Sequence, residues 1–258
     1  MVILAKQWNP TKIDYSGWYA SIKQDGYRAI WTGGYLQSRN GIYYNTPKWF
    51  TRYFPINVSL DGELFIPGAT FEEHGALRRS NSTDQIWKRV EFHVFDIPKS
   101  NKQFKQNYKK LQKFDNHGPI RVLHQQKVHD NVHARRLADD IISGGGEGLM
   151  LRNPASIYVD KRTSDLVKIK DVRRASAVIV GHTSGKGRNW NLVGAYVCRF
   201  INEDSKHSSD DNRSLTNTFK VGNLSDDMRN TPLKVGTIID VLYQSLTRKN
   251  TPRFPRML

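Results

Sequence analysis

The stretch Lys23-Gln24-Asp25-Gly26-Tyr27-Arg28 puts a lysine one residue ahead of an Asp-Gly pair and five residues ahead of an arginine. On either side, Trp18-Tyr19-Ala20-Ser21-Ile22 and Tyr27-Arg28-Ala29-Ile30-Trp31 are rich in aromatic and β-branched residues, a composition that predicts two strands. Asp-Gly between two such runs predicts a tight turn, with Lys23 at the end of the first strand. Taken alone, the pattern describes an ordinary hairpin carrying a solvated lysine. Such a lysine is a poor nucleophile at neutral pH, because a free amine of pKa about 10.4 is deprotonated in roughly one molecule in a thousand. Burial, neighbouring cations or a bound metal would change that.

Three later segments supply those conditions. Glu63 in Asp61-Gly62-Glu63-Leu64-Phe65 and Glu147 in Gly146-Glu147-Gly148-Leu149-Met150-Leu151-Arg152 are carboxylates set beside glycines in otherwise apolar, strand-like sequence. A carboxylate there is costly to bury unless it binds a magnesium ion, a ribose hydroxyl or an arginine. Magnesium takes only one or two protein carboxylates and keeps waters or phosphate oxygens, so it would come with phosphates. The plainer alternative is a pair of buried salt bridges. Lys168 and Lys170 lie two apart in a predicted strand and so point the same way. Two ammonium groups in one place repel unless an anion sits between them, and a triphosphate would serve; the alternative is a solvated strand face.

Further strands are predicted at Tyr35 to Ser38, Val58 to Phe65, Phe92 to Phe95, Gly148 to Arg152 and Leu166 to Lys170. Phe104, Tyr108, Leu111 and Phe114 recur at helical spacing among lysines and glutamines, and a second helix is expected from Val132 to Ile142, ended by Gly144-Gly145-Gly146. After Lys170 the texture changes to short strands divided by turns, at Ala177 to Gly181, Val193 to Ile201, Thr218 to Val221 and Thr237 to Tyr243. Ser225-Asp226-Asp227 can cap one short helix, and the polar segment Glu203 to Asn217 reads as an exposed loop. The expected organisation is an α+β domain over residues 1–170 and an all-β domain over residues 171–258, a small barrel of the oligonucleotide-binding type.

Forty Lys plus Arg against 24 Asp plus Glu give the 258-residue chain a formal charge of +16, which predicts attraction to a polyanion, nucleic acid foremost. Up to Lys170 there are 26 basic and 16 acidic residues, and after it 14 and 8, so the charge is not confined to a tail. Cys198 is the only cysteine, which excludes an intramolecular disulfide and a cysteine-rich zinc site. The apolar run Val2 to Ala5 is too short for a signal-peptide core, and no window approaches the ~20 apolar residues of a membrane span. These features read as a soluble intracellular protein, cytoplasmic or nucleoid-associated, with no membrane partner.

Taken in order, these segments resemble the covalent nucleotidyltransferase superfamily, most closely the small ATP-dependent DNA ligases of viruses and bacteria. Lys23 to Arg28 is similar to that family's motif I, Ser38-Arg39-Asn40-Gly41 to motif Ia and Leu60 to Leu64 to motif III. Phe92 to Asp96 is similar to motif IIIa, Glu147 to Arg152 to motif IV and Leu166 to Lys170 to motif V. Pro252-Arg253-Phe254-Pro255 resembles the segment that closes the barrel domain. The resemblance implies a nucleotidyltransferase (adenylation) domain followed by an OB-fold. It also implies three steps: Lys23 takes AMP from ATP, the AMP passes to the 5′-phosphate of nicked duplex DNA, and the 3′-hydroxyl displaces it.

By the same resemblance Glu147 binds catalytic magnesium or manganese, and Glu63 binds the ribose with possible metal contact. Arg28 and Arg39 hold the nucleotide and the nick phosphate, and Phe95 stacks on the adenine. Lys168 and Lys170 contact the α-phosphate, and Arg39, Arg248, Lys249 and Arg253 are candidates for DNA contact. A monomer clamping DNA between its two domains is the expected state. Two departures stand out. The chain ends at Leu258, which leaves Arg256, or Arg248 with Lys249, to orient the departing pyrophosphate, and only Glu203 to Asn217 offers a segment to encircle DNA, despite its Asp210-Asp211 pair. Other readings are an RNA ligase or mRNA capping guanylyltransferase of the same superfamily, or a binding module without turnover.

Overall fold

The computed structural model describes residues 2–69, 71–81, 83–201, 217–247 and 249–258. Arg248 and nearly all of the loop expected at Glu203 to Asn217 lie outside them. The chain divides into two compact units, Met1–Lys170 and Asp171–Leu258.

In the first unit the strands are β1 (Leu4–Gln7), β2 (Tyr19–Ile22), β3 (Tyr27–Trp31), β4 (Leu36–Ser38), β5 (Leu60–Phe65), β6 (Glu91–Asp96), β7 (Ile120–Val122), β8 (Gln126–Lys127), β9 (Gly148–Arg152) and β10 (Arg162–Lys170). The helices are the single turns α1 (Lys48–Thr51) and α2 (Phe71–His74), then α3 (Phe104–Leu111) and α4 (Asn131–Ser143). The strands form two five-stranded sheets, ordered β1-β10-β9-β2-β8 and β4-β3-β5-β6-β7. Each sheet has its own core. The first packs Leu149, Leu151, Val167 and Ile169 against Ala134 and Ala138 of α4, and the second packs Leu60, Leu64, Phe92 and Val94 with Phe50, Phe54 and Trp87. The alternation of these apolar residues leaves the other positions of each strand free for the polar side chains of a site.

The expected hairpin at Asp25-Gly26 does not exist. β2 pairs with β8 and β9, whereas β3 pairs with β4 and β5, so residues 23–26 carry the chain from one sheet to the other. The physical reason for the glycine is close approach: a Cβ at Gly26 would meet the Leu64 carbonyl oxygen at 2.3 Å. The crossover therefore lies flat on the backbone of β5.

α4 starts where Asp130 accepts a hydrogen bond from the His133 N–H at 2.7 Å and stops at Gly144, as its apolar spacing and glycines predict. α3 matches the first part of the predicted amphipathic segment, and a 3-10 turn, Gln112–Phe114, completes it. β1 is an element the sequence reading lacked. It pairs in parallel with β10, and Val2 and Ile3 ahead of it are buried.

The second unit is one antiparallel sheet of β11 (Arg173–Ser184), β12 (Val193–Phe200), β13 (Phe219–Val221), β14 (Ile238–Tyr243) and β15 (Arg256–Met257), ordered β13-β12-β11-β14-β15. α5 (Asp226–Asn230) is capped by Ser225, whose hydroxyl accepts from the Met228 N–H at 3.2 Å. Cys198 is buried in this core, and burial pushes its thiol up to about 11, which makes it inert.

Candidate active site

The two sheets of the first unit face a cavity of about 230 Å³. That is below the ~300–1,000 Å³ typical of drug-sized ligand sites. Lys23, Arg28, Arg39, Glu63, Phe95 and Lys168 all line it. Six residues that sequence singled out from positions 23 to 168 thus share one wall system.

Lys23 leaves the end of β2 with its N–H donating to the Gly148 carbonyl at 2.9 Å. Its Nζ donates to Glu147 Oε2, and the Lys170 Nζ donates to Glu147 Oε1. One carboxylate is therefore shared by two ammonium groups. The anion expected between Lys168 and Lys170 is instead a protein carboxylate between Lys23 and Lys170. Lys168 lies in the cavity wall, where burial first, and then the positive charges of Lys170, Lys23 and Arg162, hold its pKa below the usual lysine value. Glu147 precedes β9 rather than lying in it. The bend is made at Gly148, whose φ is +137°, and a Cβ there would meet the Ile169 carbonyl at 2.1 Å.

The opposite sheet presents charges that are already matched. Arg28 Nε and Nη2 donate to the two oxygens of the fully buried Asp61, each at 2.5 Å, and Nη2 reaches the Ile3 carbonyl at 3.3 Å. Tyr158 donates its hydroxyl to Asp61 Oδ2 at 2.6 Å. Burial alone would lower the Arg28 pKa, but the Asp61 carboxylate more than offsets it and raises it. The Arg28 guanidinium lies 4.7 Å from the centroid of the Phe95 ring, so it backs the aromatic surface that lines the cavity. Arg28 is thus committed to Asp61, and Asp61 and Tyr158 are partners the sequence reading missed. A buried aspartate two residues before Glu63 is the signal that was available.

Glu63 faces Arg28 across the β3–β5 ladder. Burial, reinforced by the negative charges of Glu147 and Asp61, outweighs the cations Arg28 and Lys23 and pushes Glu63 up to about 8. Deeper in the cavity, Asp96 is buried and pushed up to about 6, while Arg152 Nη2 donates to it at 3.4 Å. Arg39 is exposed at the rim. Lys249 and Arg253 belong to the second unit.

Residues 4–170 match the family model described as ATP dependent DNA ligase domain, and residues 184–258 match DNA ligase OB-like domain. The chain belongs to the ATP-dependent DNA ligase family. A DNA ligase of Haemophilus influenzae is 31% identical over 244 residues, which cover 92% of this chain and 84% of that one. A solved structure of Lig E DNA ligases, described as binding DNA with a minimal scaffold, superposes with a TM-score of 0.87 at 27% identity, covering 100% of this chain and 97% of that one. The DNA ligase-adenylate of Chlorella virus shares the fold, with a TM-score of 0.57 at 19% identity over 100% of this chain and 96% of that one. The first unit of this ligase is accordingly a nucleotidyltransferase domain and the second an OB-like domain. Sealing nicked DNA with ATP is the function of the family, which displaces the RNA ligase, capping and non-catalytic readings. Among the described residues, no helix is long and apolar enough to cross a membrane.

Proposed function

We propose that the cleft between the two sheets of the first unit is where Lys23 becomes adenylylated. The observation that carries the reading is the triad Lys23–Glu147–Lys170 beside Lys168, three cations around one anion. Such a cluster is short of negative charge, and a triphosphate supplies it. The Lys23 amine, once deprotonated, attacks the α-phosphorus; the N–P bond forms as the bond to the pyrophosphate oxygen breaks, and pyrophosphate leaves. Lys168 and Lys170 carry the charge that develops on the phosphoryl oxygens. Phe95, backed by Arg28, offers a flat face for the base, and Glu63, in the wall of the same cavity, is the proposed partner of a ribose hydroxyl.

Among the described residues, no group of three or more His, Cys, Asp or Glu could hold a metal by itself. That fits magnesium or manganese, which needs only one or two carboxylates and completes its shell with water and phosphate oxygens. Glu147 and Glu63 are the residues that would hold it, and the ion would supply positive charge at the phosphates.

The protein acts as a monomer on nicked duplex DNA, and the +16 charge spread over both parts supports contact with phosphates from each. Arg39 at the cavity rim and Lys249 and Arg253 in the OB-like domain are the proposed contacts. Trp190 joins them: it is 72% exposed and follows the exposed cations Lys186 and Arg188 in the β11–β12 loop, a loop type that binds oligonucleotides in OB-folds.

The test is incubation with α-labelled ATP and magnesium. Label bound covalently to the wild type and absent from Lys23→Ala is expected; equal labelling of both overturns the site. Sealing that does not weaken as salt rises from 50 to 200 mM would remove the electrostatic account of DNA binding.

A further inference from the structure

Gln24, the residue between the proposed nucleophile and the Asp-Gly pair, lines the cavity and is half-buried. Its Nε2 lies 2.7 Å from His93 Nδ1. His93 is buried on β6, directly across the ladder from Glu63, and its Nε2 lies 2.8 Å from Glu91 Oε2. Glu91 Oε1 in turn faces Arg121 Nε at 3.4 Å. Four side chains thus run in a line from the protein surface to the crossover.

The polarity of that line is determined by its ends. Glu91, as a carboxylate, only accepts, so His93 Nε2 carries the hydrogen. Nδ1 is then a bare acceptor, and the amide N–H of Gln24 is the donor that fits it. Burial lowers the His93 pKa, which agrees with a neutral ring. The contact gives the crossover a second anchor. The Lys23 backbone is tied to β9 through the Gly148 carbonyl, on one sheet, while the side chain of the next residue is tied to β6, on the other. Gly26 lies on β5 immediately beyond.

We propose that His93 is a positioning residue for lysine adenylylation: held in one tautomer by Glu91, it grips Gln24 and so fixes the crossover that aims Lys23. The proposal rests on the reading of Lys23 as the nucleophile. In-line attack at phosphorus depends on placing the amine, and displacement of about 1 Å is enough to cost about 10²-fold in rate.

The experiment measures single-turnover adenylylation of the intact protein across a range of ATP concentrations. His93→Ala and Gln24→Leu should each slow the maximal rate about 10- to 30-fold while the half-saturating ATP concentration moves less than about threefold. The double variant should be no slower than either single one, since both cut the same bond. His93→Asn keeps an acceptor atom on Cγ, where Nδ1 was, and should recover most of the lost rate. His93→Gln is a better match in volume but places its amide near the Nε2 position, and should not. Sealing of a nick that already carries AMP needs no lysine adenylate and should stay within about threefold of wild type in the His93 variants, whose side chain is not part of the cavity wall.

Equal rates for the Asn and Gln variants, additive losses in the double variant, or a wild-type rate for Gln24→Leu would each overturn the proposal. Gln24 is not a core residue, so its variant keeps the test decisive if His93→Ala folds poorly. Labelling that survives in Lys23→Ala would be a separate result, one that removes the site reading itself.

Discussion

Along β9 and β10, Lys23 and Lys170 share the single carboxylate of Glu147 while Lys168 lies alongside, whereas in the opposite sheet Arg28 of β3 has the Asp61 carboxylate on β5 as its own partner. Arg28 is paired with Asp61, Arg121 of β7 with Glu91, and Asp96 of β6 is met at 3.4 Å by Arg152 from β9. The first wall has more cations than anions and is electrostatically incomplete. The second, whose Asp61 and Asp96 each meet an arginine, is the finished one, although Nε and Nη1 of Arg152 are buried without a hydrogen-bond partner among the described residues. An incomplete wall exchanges partners when an anion arrives, at little cost in reorganisation. A finished wall keeps its shape and serves as the template against which base and ribose are placed. Catalysis by positioning and charge stabilisation needs both.

Breaking the first wall at its nucleophile should have the largest effect. Lys23→Arg keeps the positive charge and a hydrogen bond to Glu147 but removes a group able to lose its proton. Self-adenylylation should fall by more than about 10⁴-fold, the loss expected when a covalent step has no nucleophile, as read by label transfer from ATP. Activity in this variant would mean that the ion pair matters more than the nucleophile.

Breaking the second wall should show first in stability. Asp61→Ala leaves the half-buried Arg28 beside Phe95 without its bidentate partner and strips Tyr158 of its acceptor. Loss of one member of such a pair costs about 3–5 kcal/mol, to be read from urea unfolding. A smaller effect is expected from Lys168→Ala. It removes a cation that forms no ion pair among the described residues, so stability should hold while adenylylation slows about 10²-fold. If Lys168→Ala unfolds the protein and Asp61→Ala does not, the two walls have been assigned the wrong way round.

The contrast between the walls also separates what was legible in the sequence from what was not. The cluster of Lys23, Glu147, Lys168 and Lys170 was legible because each sits at a fixed offset from a glycine or from another lysine, within or directly beside an apolar strand. Most strands were legible from their apolar and β-branched runs, among them Gly148–Arg152 and Ile238–Tyr243, whereas the short β1, β7, β8 and β15 were not. The hairpin at Asp25-Gly26 was misread because turn chemistry reports a change of direction and not which strand comes next. Only the pairing of β2 with β9 and of β3 with β5 reveals a crossover between sheets. The partners on the finished wall were hidden for a related reason. Asp61 meets Tyr158 across 97 residues and Gln24 meets His93 across 69, and no local spacing encodes contacts of that range.

Glu63 is the exception on the finished wall, since it forms no ion pair among the described residues. Its pKa of about 8 in the folded chain stands above the ordinary glutamate value of 4.5, so the native state holds this proton more tightly than the unfolded one. The stability that this protonation represents is complete below pH 4.5 and is lost as pH rises through about 8. Glu63→Gln mimics the protonated form at every pH. Without nucleotide, the variant should match wild type near pH 5 and exceed it near pH 9 by about 1–2 kcal/mol, a reduced figure because the side chain borders the open cavity. Urea midpoints at the two pH values measure the difference. Magnesium and ATP should reverse the order at pH 9, because only the glutamate gains a counter-charge by ionising. A glutamine variant that is stabilised by ligand as strongly as wild type would place Glu63 with the finished wall after all, as a structural carboxyl with no part in holding the nucleotide.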